Sequence, residues 1–269
     1  MRRSLGGLVL IIAAVLAAIA IGAWWLQRVA FDPVDNSGVA LSVLGDEAIR
    51  GQIASIVAAA DAPILEQSPT QLKEFIEQIA RIPDGAALMS RIVADGHARL
   101  IGVNDGFVLV TAGEQVTIVR DERVGEADPL TLPIQRIGAM AFFERWLGWF
   151  ALATGALALL LVLVGVVARP ERGEGTFALG VGLASLAGSL IVFGYLVPLA
   201  LLPAFSDDPW MGVFPRLAAH HRNLTLLLAG IALVLAVLVV FGTSSRRQRR
   251  QGSTPLNVTR YREDRSWSR

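Results

Sequence analysis

The 269-residue chain has no cysteine, only three histidines and a single lysine, Lys73. Without cysteine there can be no disulfide framework and no thiolate metal site. The sequence also contains no phosphate loop, no dinucleotide fingerprint, no Gly-x-Ser-x-Gly elbow and no His-Glu-x-x-His motif, so the nucleotide enzymes and the commonest hydrolases and metalloproteases lack their signature residues. These absences favour a protein that is not an enzyme and carries no cofactor.

Hydrophobic residues make up 54% of the chain and are concentrated in four long runs, at 5–26, 147–168, 177–202 and 224–242. Each run is about 20 residues long, which is enough for a helix to cross a bilayer. None of the four contains Asp, Glu, Lys, Arg or His, and this disfavours a transporter, a proton relay or a voltage sensor. The sequence therefore predicts four transmembrane α-helices.

The first run, within residues 1–26, resembles a secretory signal, because Ala18-Ile19-Ala20 has the spacing of small residues that a signal peptidase recognises. Its apolar core is longer than the 7–15 residues typical of a cleaved signal. We therefore expect an uncleaved membrane anchor.

Charge is distributed unevenly along the chain. Residues 27–144 carry 9 basic and 17 acidic side chains, a net charge of −8, whereas residues 243–269 carry 8 arginines against 2 acidic residues, a net charge of +6. Four spans place both termini on one side, and the positive-inside rule assigns the arginine-bearing ends and turns to the cytoplasm. These are Arg2, Arg3, Arg169, Arg172 and the run at 246–250.

The predicted organisation is thus an anchor at 1–26, an extracytoplasmic domain at 27–144, a three-helix membrane region at 145–242 and a basic cytoplasmic tail at 243–269. The tail is poor in aliphatic residues, so we expect it to be disordered. The location would be the plasma membrane. We expect the lipid bilayer and another membrane or envelope protein as partners, and no nucleic acid.

The first half of the extracytoplasmic domain has helical patterns. Asp46 can cap a helix with apolar residues at helical spacing, and residues 68–71 resemble a capping box at the start of a second helix. Asp84 can cap a third helix, with Gly96 as its expected C-terminal stop.

The second half changes character. The β-branched runs at 107–111 and 115–120 are joined through residues 112–114, which indicates a β-hairpin, and residues 100–103 can add a strand. A helix from about Ile137 is expected to lead into the second span. The prediction for 27–144 is a small α+β domain between transmembrane helices 1 and 2.

The loop between the last two spans carries the first candidate group of residues for chemistry: Asp207, Asp208, His220 and His221. Two carboxylates and two imidazoles at a membrane surface could bind a metal ion or perform acid–base work on a lipid headgroup. Adjacent histidines on a helix point about 100° apart, however, so they do not chelate as an i, i+4 pair does. We favour a polar interfacial loop, with catalysis as the alternative.

Small residues recur every fourth position in the third span, at Gly180, Ala184 and Gly188. Such a ridge lets another helix approach closely, either within this bundle or in a partner protein, and we favour packing within the bundle. His97 stands alone in the sequence, so we expect it to pack and to form a hydrogen bond rather than to bind a metal.

Two segments, Leu44-Gly45-Asp46-Glu47-Ala48-Ile49-Arg50 and Gly96-His97-Ala98-Arg99-Leu100, follow an anchor helix and precede a strand pair and three closing spans. This layout resembles a group of uncharacterised four-span integral membrane proteins of actinobacteria. The resemblance implies an envelope location in a Gram-positive-type cell, and it supplies no activity and no functional residues.

Two functional hypotheses follow. The leading one is a non-enzymatic scaffold or accessory protein of the cell envelope, which binds a partner through its acidic outer domain. The alternative is a membrane enzyme or binding protein for a lipid-linked substrate at the outer leaflet, acting through Asp207, Asp208, His220 and His221. A sensor that signals through the arginine-rich tail ranks below both.

Overall fold

A computed structural model describes residues 2–33, 36–168, 170 and 173–251, and these residues are mostly helical. The α-helices are α1 (Arg2–Ala30), α2 (Ser37–Leu44), α3 (Glu47–Leu65), α4 (Pro69–Ala80), α5 (Pro83–Leu88), α6 (Ser90–Leu100), α7 (Ala112–Val119), α8 (Gly138–Val167), α9 (Glu174–Ile191) and α10 (Val213–Gln251). Strands β1 (Val108–Val110) and β2 (Leu130–Leu132) pair antiparallel, with Val108 opposite Leu132. Short 3-10 segments lie at Glu122–Glu126, Leu202–Phe205 and Pro209–Gly212, and a π-helical segment lies at Val192–Leu201.

Among the described residues, five segments are long and apolar enough to cross a membrane, which indicates a multi-pass membrane protein. They are Leu5–Ala30, Glu47–Leu65, Gly138–Val167, Glu174–Phe205 and Pro209–Gly242. Four of them contain the apolar runs found in the sequence. The fifth, which is α3, lies within the segment that the sequence assigned to the outer domain.

Helix α1 lies at the centre of the membrane region, packed against α8 on one side and α9 on the other, and α9 also packs against α10. Glycines permit the close approach of α1 and α9. A methyl group added at Gly182 would lie only 2.8 Å from the Ala14 side chain, and one added at Gly22 would lie 2.9 Å from that of Ser189.

The π-helical segment that follows α9 accommodates a large side chain from α1. The indole of Trp25 is buried against Gly194, and its Nε1 donates a hydrogen bond to Oγ1 of Thr225 on α10 at 3.1 Å. Pro198 lies inside this segment. Wide turns of this kind and proline both interrupt the regular α-helical hydrogen bonds.

Helices α2–α7 and the two strands form a layer above the ends of the membrane helices. One continuous hydrophobic core joins this layer to them, from Ala23 and Leu26 of α1 through Ile49 and Ile53 of α3 to Phe214 of α10. We call residues 31–137 the outer layer, because α1 continues to Ala30 and α8 begins at Gly138. The helix expected from about Ile137 is therefore confirmed.

The α+β expectation for the outer layer is confirmed only in that both helices and strands are present. The predicted hairpin is wrong, because residues 115–120 fall in α7 and at its end, and β1 pairs with β2 instead. Thr111 and Glu114 form a capping box that begins α7, with the Thr111 N–H donating to Glu114 at 2.8 Å. This capping outweighs the β-branched content of the segment. Residues 100–103 end α6 and do not form a strand.

The first helical predictions are largely correct. Asp46 caps α3 by accepting a hydrogen bond from the Ala48 N–H at 3.1 Å, and α4 begins at Pro69 as expected. Ser68, however, makes no side-chain capping bond. The third predicted helix is divided at Met89 into α5 and α6, and Asp84 lies in the first turn of α5 without acting as its cap.

Gly96 does not end a helix, since α6 continues through it to Leu100. The indole of Trp210 packs directly against Gly96, and a methyl group there would overlap the ring. The Trp210 Nε1 donates to Oε1 of Gln52 at 2.9 Å. Gly96 is therefore a packing position between the outer layer and the start of α10.

The expectation of a disordered tail from residue 243 is wrong for its first part, because α10 continues as a helix to Gln251. The remaining tail, 252–269, lies outside the described residues, as do Arg169 and Arg172 of the inner turn.

Candidate functional site

Asp207 and Asp208 lie in the connection that leads to α10. Oδ1 of Asp208 accepts a hydrogen bond from the Trp210 N–H at 2.8 Å, so this carboxylate caps the 3-10 segment Pro209–Gly212. Asp207 is exposed. Asp208 therefore has a structural role that accounts for its position.

His220 and His221 lie further along α10, with their rings 5.0 Å apart and nearly perpendicular. His220 is exposed and lies beside Gly38 at the start of α2. From Val213 to His220 the helix rises roughly 10 Å, so the two histidines are well separated from the Asp208 cap. Among the described residues no group of three or more His, Cys, Asp or Glu side chains could hold a metal ion. The four residues singled out in the sequence are thus not brought together.

The small residues of α9 are not all used for packing in this chain. Gly180 is buried, and a methyl group added there would lie 2.8 Å from Cγ2 of Val240 on α10. Ala184 and Gly188 are exposed, and nothing lies within 4 Å of the position that a Gly188 side chain would take. The contact of α9 with α1 is formed instead by Gly182, on another side of the helix.

His97 joins the outer layer to the end of α1. It is buried, its Nε2 lies 3.0 Å from the carbonyl oxygen of Ala30, and its ring meets the edge of Phe214. A carbonyl can only accept, so Nε2 carries the proton. Burial lowers the pKa of His97 to about 4, against the smaller opposing effects of the Ala30 hydrogen bond and of Asp32. The packing and hydrogen-bonding role expected for His97 is confirmed.

A charged cluster within the outer layer was not found from the sequence. The Arg91 guanidinium makes two hydrogen bonds to the Glu114 carboxylate, donates to the Leu109 carbonyl at 2.8 Å and pairs with Asp95. Burial opposes ionisation of Glu114, yet the hydrogen bonds from Arg91 and Thr111 outweigh it and lower the pKa of that carboxyl. The cluster connects β1, α6 and α7, so its role is structural.

Two buried ionisable side chains on α3 were also missed. Nη1 of Arg50 donates to the Leu44 carbonyl at 2.7 Å. Asp61 is fully buried, and neither of its carboxylate oxygens has a hydrogen-bond partner within the described part of the chain.

A groove between α1 and α8 extends from the membrane region to the outer layer. Its lower part has a volume of about 630 Å³ and is lined mainly by small and apolar residues, among them Ala20, Gly148 and Leu152. Its upper part has a volume of about 420 Å³ and includes charged groups. Trp24 and Gln27 line both parts, so the two cavities are adjacent.

Exposed tryptophans lie near one end of each of the two helices, and Trp24 also lines the groove. The side chains of Trp24 at the end of α1 and of Trp146 and Trp149 at the start of α8 are 55%, 53% and 67% exposed. Indole favours the boundary between lipid and water, so these residues indicate that boundary. Trp25 and Trp210, in contrast, are buried packing residues.

No family model, no curated protein and no solved structure matches the chain. The resemblance to actinobacterial four-span proteins therefore stays a prediction.

Proposed function

We propose that the protein spans the plasma membrane four times, with both termini in the cytoplasm and residues 27–144 outside the cell. The choice between four and five spans depends on α3, which is the least apolar of the five candidate segments and also the most buried within the protein. Its neighbours are mainly elements of the outer layer, above all α4, together with the segment Pro209–Gly212, and it carries the buried Arg50 and Asp61. Charged side chains buried among outer-layer helices favour a place for α3 outside the bilayer.

Single cysteines test this topology cleanly, because the natural chain has none. Glu74→Cys, on the exposed face of α4, should react with a membrane-impermeant maleimide in intact cells. Ser253→Cys in the tail should react only after the membrane has been permeabilised. Equal labelling of both positions in intact cells would contradict the arrangement.

For the activity, we infer that the protein is a non-enzymatic scaffold or accessory protein of the cell envelope, which presents the outer layer to a partner protein. The observation that carries this inference is the hydrophobic core shared by the outer layer and the membrane helices. Contacts between side chains reinforce it, including Trp210 with Gln52 and a hydrogen bond from Ser42 Oγ to the Arg216 carbonyl at 3.0 Å. A layer held in this way has a fixed orientation relative to the membrane, as a docking platform requires.

The chemistry of the partner follows from the charge of the outer layer. Several exposed carboxylates of the outer layer form no ion pair within the described residues: Glu47, Glu74, Asp84, Glu122, Glu126 and Asp128. A surface of one sign favours association with a surface of the opposite sign and speeds their encounter. We therefore propose a partner with a basic docking face.

A photo-crosslinking residue at Glu74 in native cells tests this function, with the same residue at the lipid-facing Leu163 of α8 as the control. A discrete protein adduct from position 74 alone is expected. The double variant Glu122→Lys, Glu126→Lys should weaken that adduct, since it reverses part of the charge. No adduct from position 74, or one that is indifferent to the charge reversal and to salt, would contradict a charge-guided partner.

The alternative of a lipid-modifying enzyme acting through Asp207, Asp208, His220 and His221 receives no support from their positions. One of the four is used as a cap, and the histidines lie further along α10.

A further inference from the structure

The groove between α1 and α8 changes character along its length. Its lower part follows α8 from Gly148 to Leu159, a rise of roughly 16 Å. That length is about half of the 30 Å hydrocarbon core of a bilayer, the depth of one leaflet. Two glycines of α8 line this part, and a methyl group added at Gly148 would lie 3.0 Å from Gln27, whereas one added at Gly155 would make ordinary contact with Ala20 at 3.7 Å.

The upper end of the groove is polar. Arg28, Asp32 and Glu144 line it together with Gln27, and Arg28 pairs with Asp32. The side chains of Gln27 and Glu144 form no hydrogen bond or ion pair with any described residue. One guanidinium, two carboxylates and a free amide therefore face a cavity of about 420 Å³ immediately above an apolar groove.

An apolar groove one leaflet deep that ends in such a pocket matches a lipid in shape and in chemistry. The acyl chain would lie beside Ala20 and Leu152, and the headgroup would lie beyond Trp24, at the boundary that the exposed indoles indicate. Any apolar helix surface is covered by bulk lipid, and such non-specific contact needs no unpaired polar groups at one end of a groove. The polar end is therefore what distinguishes this groove from ordinary lipid contact.

The charges select the headgroup. Arg28 can bind a phosphate, and Glu144 with Asp32 can bind a cation beside it. We propose that the α1–α8 groove is a binding site for one outer-leaflet phospholipid of the phosphatidylethanolamine type, whose headgroup carries a primary ammonium group next to its phosphate. A phospholipid with a glycerol headgroup has the phosphate but no cation, so Glu144 would remain unpaired and would repel the net negative charge. This proposal does not depend on the protein partner proposed above.

The test uses the full-length protein in a detergent micelle that contains equal amounts of phosphatidylethanolamine and phosphatidylglycerol, followed by native mass spectrometry. The expected result is one retained phospholipid per chain, with the ethanolamine lipid favoured about fivefold, the effect of one charge near the membrane surface. No retained lipid, equal retention of the two lipids or a preference for phosphatidylglycerol would each overturn the proposal.

Two variants separate the two parts of the groove. Ala156→Phe should fill the apolar part from an exposed position on α8 and abolish retention. Ala153→Phe, which lies outside the groove and lines a separate hollow beside Phe150, should leave retention unchanged. Glu144→Gln should leave one lipid bound but bring the ratio of retained phosphatidylethanolamine to retained phosphatidylglycerol close to one. Glu74→Gln on α4 should preserve the fivefold ratio. If Ala156→Phe fails to fold, Glu144→Gln still tests the proposal. A preference for phosphatidylethanolamine that persists in the Glu144→Gln variant would overturn the headgroup assignment.

Discussion

The buried His97 makes an acid-sensitive connection between the outer layer and the membrane helices. Its pKa is about 4 in the folded protein and 6.5 when the chain is unfolded, so the unfolded chain binds the additional proton between these values. The stability contributed by neutral His97 is therefore complete above pH 6.5 and is lost as the pH falls towards 4. Linkage arithmetic gives a loss of roughly 2–3 kcal/mol between pH 7.5 and pH 4.5.

Thermal unfolding of the purified protein in one detergent, followed at several pH values from 7.5 to 4.5, measures this effect. A loss of that size lowers the apparent midpoint temperature by roughly 5–10 °C for a protein of this length. Other groups also contribute to acid sensitivity. Glu114, with its lowered pKa, stabilises the fold above its unfolded pKa and ceases to do so as it is protonated.

The variant His97→Gln isolates the histidine contribution. A glutamine amide can still donate to the Ala30 carbonyl but does not titrate, so the variant should have a flatter pH profile than the natural protein. The contribution of Glu114 is the same in both proteins and cancels in the comparison. Parallel profiles for the two proteins would refute the argument, because they would show that His97 titrates equally in the folded and unfolded states.

Three further outcomes follow from the packing of the outer layer and can be measured by the same unfolding assay at pH 7.5. Gly96→Ala should destabilise the fold by about 1–3 kcal/mol, because the new methyl group overlaps the Trp210 indole, whereas Gly113→Ala, which meets nothing within 4 Å, should be neutral or slightly stabilising. Glu114→Gln should cost about 1–2 kcal/mol, since it weakens both a helix cap and a bidentate ion pair, and an unchanged midpoint would contradict this role. Asp61→Ala should stabilise the protein by about 1 kcal/mol, because it removes a buried carboxyl without hydrogen-bond partners, and a clear loss of stability would indicate an unrecognised partner.

The membrane helices could be predicted from the sequence because each contains a long run of apolar residues without a charged residue. Runs of about 20 apolar residues have few alternative interpretations, and four of the five candidate segments contain such a run. The fifth, α3, shows the limit of this reasoning. Its alanine-rich and isoleucine-rich sequence is apolar enough for lipid, and only its neighbours in the fold distinguish a buried outer helix from a span.

The errors within the outer layer have two causes. Residues 115–120 have strand propensity, but Thr111 and Glu114, three residues apart, form a capping box there, and this local signal is present in the sequence. Arg91, 23 residues before Glu114, adds a tertiary contact to the same carboxylate. Gly96 resembles a helix stop until Trp210 is known to pack against it, so at that position a tertiary contact overrides a local preference worth about 1 kcal/mol.

The candidate site was missed for a related reason. The sequence draws attention to ionisable residues that stand close together, as in Asp207-Asp208 and His220-His221. The α1–α8 groove instead combines Gln27 and Arg28 with Glu144, more than a hundred positions later, and its apolar part is lined by alanine, glycine and larger apolar residues of two separate helices. Space between two helices has no signature in a single sequence.

The end of α1 connects the two proposals made for this protein. Trp24 and Gln27 line the groove, and the Ala30 carbonyl, less than one helical turn further on, accepts the hydrogen bond from His97 of the outer layer. Adjacent residues of one helical turn move together, so a lipid that holds α1 against α8 also holds the attachment point of the outer layer. Bound lipid should therefore raise the unfolding temperature of the natural protein. Ala156→Phe should remove that increase by excluding the lipid, and His97→Gln should retain it, since the histidine lies outside the groove.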